Sequence, residues 1–184
     1  GLAESYARLS KKNLRIQLAC NAGFKTIMNG FTHWLIHKRT RLFRGASPHV
    51  SSFWLMRIVE ETEHKTVAFD AYMAYSGQYL PRAIGVFHGS FHVVGFAVIG
   101  MLVALKKDGK LYPPKCIAEI VREIFAVIRN VGPYFLRALL PGYNPRCEDD
   151  PKWMKDWIAG HASLPSDAPL PLVDTDHPDM PVPF

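Results

Sequence analysis

The densest group of potential metal ligands in the sequence is the run Glu60-Glu61-Thr62-Glu63-His64. In a helix, residues three and four positions apart lie on one face, so Glu60 and Glu61 would both project the same way as His64. Carboxylate oxygens neutralise and bridge divalent cations, and an imidazole completes a metal's coordination shell. Glu-x-x-His pairs are the half-sites with which helical bundles hold two iron or manganese ions. The spacing therefore predicts Glu60, Glu61 and His64 as metal ligands.

The residues around this run bear on whether it is buried. It is flanked by four apolar residues, Ile58, Val59, Val67 and Ala68. These favour burial of the ligands, and Glu63 and Asp70 are then expected to support them by hydrogen bonding. The alternative is a solvated face on which Arg57 and Lys65 form salt bridges with the glutamates.

Two further histidine pairs have a spacing that allows ligation. His33 and His37 form one i,i+4 pair, and His88 and His92 form another. Such pairs can bind a metal ion, or a haem or pigment inside a membrane helix. Alternatively, the first pair simply borders the basic run that begins at His37, and the second hydrogen-bonds to neighbouring helices.

Proline and glycine positions indicate how the chain is divided, and no strand-type alternation is present. We predict an all-α fold, with a helical domain over residues 1–160 and an extended Pro-rich tail over residues 161–184 that lies outside the core. The expected helices cover residues 3–43 (one or two helices, with a possible break at 21–23), 50–75, 81–107, 115–130 and 151–159.

The third of these helices is unusually apolar. Residues 83–105 contain no charged side chain, and lysines follow at Lys106 and Lys107. About 20 apolar residues suffice to cross a bilayer, whereas a bundle's central helix can also be apolar all round. Four glycines would permit close packing of this helix: Gly85, Gly89, Gly95 and Gly100. The segment is therefore expected to be either a membrane-embedded helix or a buried bundle helix.

Composition narrows the function classes. The net charge of +6 comes partly from a basic run over residues 37–44, which alone does not indicate a specific nucleic-acid partner. The three cysteines are far apart and form no CxxC pair, so we expect reduced thiols and a cytoplasmic protein. No Gly-x-Ser-x-Gly elbow, P-loop or dinucleotide-binding fingerprint is present.

Two stretches resemble the predicted metal-dependent hydrolase family. Residues 53–72 are similar to its Trp-containing segment followed by Glu-Glu-x-Glu-His-Lys and Val-Ala-Phe-Asp, and residues 134–145 are similar to its Leu-Arg-Pro-Gly-Phe-His-Pro element. The resemblance implies a ferritin-like helical bundle with a carboxylate and histidine site for iron, manganese or zinc. Such a metal would generate hydroxide for hydrolysis of an unassigned substrate, or an iron pair would activate oxygen.

The chain also departs from that family's pattern. Residues 18–32 contain no glutamate where the family has an Ala-Leu-Glu-His-type segment, and Arg57 and Asn144 replace two of its histidines. The family's N-terminal half, which supplies further Glu and Glu-x-x-His ligands, has no counterpart in the sequence. Either another segment or partner completes the metal site, or the chain is a metal-free structural or membrane-complex subunit. In both cases we expect contact with a protein partner or membrane surface through residues 83–105.

Overall fold

Every regular element is helical in residues 2–150, 152–168 and 172–177, the part of the chain that the computed structural model describes. The predicted all-α class is therefore confirmed, and the ferritin-like arrangement of the helices stays a prediction. The helices are α1 (Leu2–Leu9), α2 (Leu14–Phe43), α3 (Pro48–Glu63), α4 (Val67–Tyr75), α5 (Tyr79–Lys107), α6 (Pro114–Ala138) and α7 (Lys152–Ala162), with 3-10 turns at His64–Thr66 and Pro145–Cys147.

The break in the first helical region lies earlier than predicted. Residues 10–13 separate α1 from α2, and α2 continues without interruption through residues 21–23. The side-chain oxygen of Asn13 accepts a hydrogen bond from the Ile16 backbone N–H, which is the action of a helix N-cap. Gln17 donates from its amide nitrogen to the carbonyls of Ser10 and Lys12 and so fixes the turn. Local capping at Asn13, rather than Gly23, therefore decides where the helix begins.

By contact density the chain forms two units, each built from separate stretches. One unit comprises Gly1–Phe31 and Lys65–Pro145, and the other comprises Thr32–His64 and Arg146–Phe184. Each has its own apolar clusters of buried residues. In both units, residues far apart in sequence therefore pack against one another.

In the first unit, α2 and α5 cross at backbone contact. A Cβ atom added to Gly85 would lie 2.1 Å from the carbonyl oxygen of Ala19, and one added to Gly89 would lie 2.5 Å from the nitrogen of Phe24. Added Cβ atoms at Gly95 and Gly100 would meet nothing within 4 Å. Two of the four predicted packing glycines therefore serve close helix contact, and the other two do not.

Helix α6 runs further than predicted because it passes through Pro133. The Gly132-Pro133 pair suggested an end near residue 130, but the helix continues to Ala138. Its end is held by Arg82 of α5, whose guanidinium donates at 2.7 Å to the carbonyl of Ala138 and at 2.7 Å to that of Leu140. These contacts occupy carbonyls that a helix terminus leaves without partners.

In the second unit, part of the tail enters the core. Val173 is buried against Leu55, Val59 and Met154, and its N–H donates to the Ser52 hydroxyl at 2.8 Å. Residues 172–177 contain no helix, as predicted, but the expectation that this tail stays outside the core is wrong at Val173. Residues 169–171 and 178–184 of the tail lie outside the described residues.

Candidate functional site

The predicted metal ligands lie on the last turn of α3, in the second unit. The helix ends at Glu63, and the backbone N–H of His64 donates to the carbonyls of Glu60 and Thr62. This hydrogen bond from His64 to Glu60 keeps the helical spacing one residue beyond the helix end. Glu60, Glu61 and His64 therefore keep the helical backbone spacing that the sequence predicts, and their joint ligation of a metal stays a prediction.

The turn is less buried than the flanking apolar residues suggest. Glu60 and Glu61 are partly exposed, and Glu63 and His64 are exposed. Ile58 and Val59 are buried as predicted, but Val67 is 59% exposed. Val67 begins α4, after the 3-10 turn at His64–Thr66. The donors therefore lie at the protein surface, where solvent or another segment can reach them.

Arg57 forms an ion pair with Glu60, one of the predicted metal ligands. Its guanidinium forms an ion pair with the Glu60 carboxylate one helical turn away, and both side chains are substantially exposed. An exposed pair of this kind contributes little to stability. A positive charge at this position opposes the binding of a dication to the same carboxylate.

The arrangement of donors does not by itself hold a metal ion. Across the part of the chain that the structure describes, no three side chains of His, Cys, Asp or Glu gather closely enough to do so. Asp70 lies on α4 and belongs to the first unit, whereas Glu63 is an exposed residue at the end of α3. The turn offers hard oxygens and an imidazole but supplies only part of a coordination sphere, and further donors are needed.

The segment of α2 that lacks the family's glutamate contains buried polar residues instead. Thr26 and Asn29 are buried, and the Thr26 hydroxyl donates to the Ala22 carbonyl at 2.9 Å. Neither amide atom of Asn29 has a hydrogen-bond partner among the residues that are described. An amide oxygen can ligate a hard cation, but it brings no charge. Asn29 is therefore a weaker metal ligand than a glutamate at the same position.

His33 and His37 do not form an open pair of ligands. His33 is buried and His37 is exposed, and Nδ1 of His37 donates to the His33 carbonyl over 2.7 Å. A hydrogen bond from Nδ1 fixes the ring and leaves only Nε2 for another partner. Metal ligation by this pair stays a prediction.

His88 and His92 border a cavity of about 190 Å³ in the first unit. Their rings are stacked with centroids 5.2 Å apart, and His92 makes edge contacts with Tyr6 and Phe96. Cys20 lines the same cavity and is a free thiol whose pKa is raised by burial. A raised pKa keeps the thiol protonated, which weakens it as a metal ligand. Metal ligation by His88 and His92 stays a prediction.

The environment of His92 predicts a pH dependence of stability. Burial, then the neighbouring charges of His88 and Arg8, lower its pKa below the usual value near 6.5. The unfolded chain then binds a proton more readily than the folded chain, so stability is retained above that value and lost as pH falls below it. We expect His92→Gln to lose less stability than wild type between about pH 8 and about pH 5 in urea unfolding. His49→Gln, at an exposed position, is the control, and an unchanged pH dependence in His92→Gln would contradict the assignment.

The two stretches that carry the family resemblance contribute to one core cluster. Phe69 and Tyr143 meet edge to face with ring centroids 6.1 Å apart. Both are buried, together with Val86 and Ala138. Sequence reasoning missed Arg82, which lies beside this cluster with its guanidinium 5.9 Å from the Phe69 ring centre. The signal available for it was a charged residue in the first turn of an otherwise apolar helix.

Comparison with known proteins covers both the turn at the end of α3 and the core cluster around Phe69 and Tyr143. A family model described as predicted metal-dependent hydrolase matches residues 2–149, which include every candidate ligand named above. No curated protein and no solved structure matches the chain.

Proposed function

Since the chain belongs to the predicted metal-dependent hydrolase family, we propose that it acts in metal-dependent hydrolysis, with Glu60, Glu61 and His64 as one half of the metal site. The observation that supports this proposal is the turn at the end of α3, where the backbone hydrogen bond from His64 to Glu60 keeps the helical spacing of the Glu-x-x-His pattern. Two carboxylates and one imidazole suit a divalent cation such as iron, manganese or zinc.

The exposure of the turn explains how such a half-site would be completed. Glu61 and His64 are accessible, so donors from another segment or from a partner can approach them. Glu63 and Asp70 remain candidates for supporting the ligands through hydrogen bonds. The ion pair between Arg57 and Glu60 makes the open half-site weak until those donors arrive.

Metal analysis of the natively purified chain tests the proposal. We expect about one equivalent of iron, manganese or zinc per chain, and its loss in the double variant Glu61→Ala/His64→Ala. The matched control removes an exposed acid and an exposed histidine elsewhere, Glu119→Ala/His49→Ala, and should keep the metal. No metal in the wild type, or equal metal in all three proteins, would contradict the proposal.

A second variant tests the role assigned to Arg57. Arg57→Gln removes the competing charge without removing a ligand, so it should bind added zinc or manganese more tightly than wild type. Titration of the purified chain with each metal measures the difference. Weaker binding in Arg57→Gln would mean that the arginine supports the site rather than competing with it.

A further inference from the structure

Helices α5 and α6 each carry an exposed apolar face that the metal site does not explain. On α6 this face consists of Ile117, Val121, Ile124, Phe125 and Ile128, all at least 42% exposed and spaced three and four residues apart. The charged residues Glu119 and Glu123 lie on the opposite side of the helix by the 3.6-residue repeat. Helix α6 is therefore amphipathic with its apolar face turned to solvent.

The exposed face of α5 follows the same spacing. Its members are exposed large apolar residues: Ile84, Phe87, Phe91, Ile99 and Leu102. They lie on the side of the helix away from Gly85 and Gly89, the glycines that contact α2. Only 18% of the most apolar stretch of α5, a window of 18 residues, is buried. The helix is long and apolar enough to cross a membrane, although cores of soluble proteins also contain such helices.

An apolar groove joins the two faces into one surface. The groove has a volume of about 300 Å³, and its walls include Phe91 and Val94 of α5 and Val127, Ile128 and Phe135 of α6. Phe91 and Ile128 belong to the exposed faces, and the ring of Phe135 lies 6.0 Å from that of Phe91. Exposed apolar patches of this kind mark sites of protein or membrane interaction. We call these two faces and the groove the α5–α6 surface.

Positive charge is concentrated at one end of the α5–α6 surface. The turn between the helices and the helix ends beside it carry four exposed lysines, Lys106, Lys107, Lys110 and Lys115, and one acid, Asp108. Tyr112 in the same turn is 70% exposed. Lysine and tyrosine are the side chains that anchor proteins at the level of lipid headgroups, and anionic lipids attract clusters of lysine. A second copy of the chain packed with its lysine-rich end against this one would bring like charges together, which is unfavourable.

From this combination of apolar faces, groove and lysine-rich turn we propose that the α5–α6 surface docks the protein onto an anionic phospholipid bilayer. The two helices lie in the plane of the interface, with their apolar faces among the acyl chains and the lysines against the headgroup phosphates. The proposal is independent of the metal site on α3, because all of its residues belong to the unit formed by residues 1–31 and 65–145.

Vesicle flotation with the whole chain tests the docking directly. We expect binding to phosphatidylcholine vesicles that contain phosphatidylserine, weaker binding without phosphatidylserine, and weakening by salt. Replacing all four lysines by glutamine should reduce binding to the anionic vesicles by about tenfold or more. No binding of the wild type to anionic vesicles, or equal binding of the lysine variant, would overturn the proposal.

The apolar contribution has its own matched pair of variants. Val121→Glu/Phe125→Glu introduces charge into the α5–α6 surface at exposed positions and should lower vesicle binding by more than about tenfold. Val50→Glu/Phe53→Glu makes the same changes at similarly exposed positions of α3 and should bind like the wild type. Helicity by circular dichroism checks that both variants fold. If Val121→Glu/Phe125→Glu binds vesicles normally, or if it instead dissociates a stable wild-type dimer that does not bind vesicles, the bilayer is not the partner of this surface.

Discussion

Gly85→Ala is expected to lower the free energy of unfolding by about 3 kcal/mol, because the added methyl group would enter the backbone of α2. The new Cβ atom would lie 2.1 Å from the Ala19 carbonyl oxygen and 3.0 Å from the Cys20 nitrogen. Neither atom belongs to a flexible side chain, so the helices themselves must separate. Since Gly23 and Gly89 share the same crossing, that separation also loosens their contacts.

Urea unfolding of the purified variant measures this loss, and Gly100→Ala is the matched control. Gly100 lies on the same helix, and an added Cβ atom there meets nothing within 4 Å. Alanine is the better helix former, so Gly100→Ala should raise stability by about 0.5–1 kcal/mol. Equal effects of the two substitutions would show that α2 and α5 do not cross at Gly85.

Arg82→Met should cost about 3 kcal/mol of stability, since it removes hydrogen bonds from one buried and two partly buried carbonyls. Arg82 is 4% exposed and donates to the carbonyls of Ala138, Leu140 and Pro141 at the end of α6. Methionine fills a similar volume but donates no hydrogen bond. The carbonyls would then lie at the helix end without their cationic partner, which also interacts favourably with the helix dipole.

Two comparisons show whether the loss comes from these hydrogen bonds. Arg122→Met makes the same substitution in an exposed arginine paired with Glu123 and should change stability by less than about 1 kcal/mol. Arg82→Lys should fall between wild type and Arg82→Met, because an ammonium group cannot reach all three carbonyls as a planar guanidinium does. If Arg82→Met left the free energy of unfolding unchanged, water or a movement of the chain would be satisfying the carbonyls.

Local patterns predicted the helical class and most helix positions, and they failed where tertiary contact overrides propensity. Gly23 suggested a helix break, but its lack of a side chain serves the contact between α2 and α5. Pro133 suggested a helix end, yet α6 continues for five more residues to Ala138, where Arg82 binds its last carbonyls. A sequence pattern shows which local conformation a residue prefers. It does not show the tertiary contact that stabilises a different conformation.

For the candidate metal site, too, local patterns predicted one property and missed another. The spacing of Glu60, Glu61 and His64 follows from the helical repeat, and the structure keeps it. Their exposure does not follow from the apolar neighbours, since Val67 is 59% exposed although Ile58 and Val59 are buried, and the helix gives way to a 3-10 turn after Glu63. No local pattern signals a change from α-helix to 3-10 turn at this place. Spacing was therefore predictable, whereas burial was not.

The hydrogen bond between Val173 and Ser52 has a consequence for the rate and order of folding. The two residues are 121 positions apart, and the whole segment 65–145 of the other unit lies between them in the sequence. A helical protein usually folds fast through local contacts, but closing so long a loop is entropically costly and slow. During synthesis, the apolar side of α3 stays without its packing partners until Met154 and Val173 have been made. Apolar surface exposed during that interval favours aggregation.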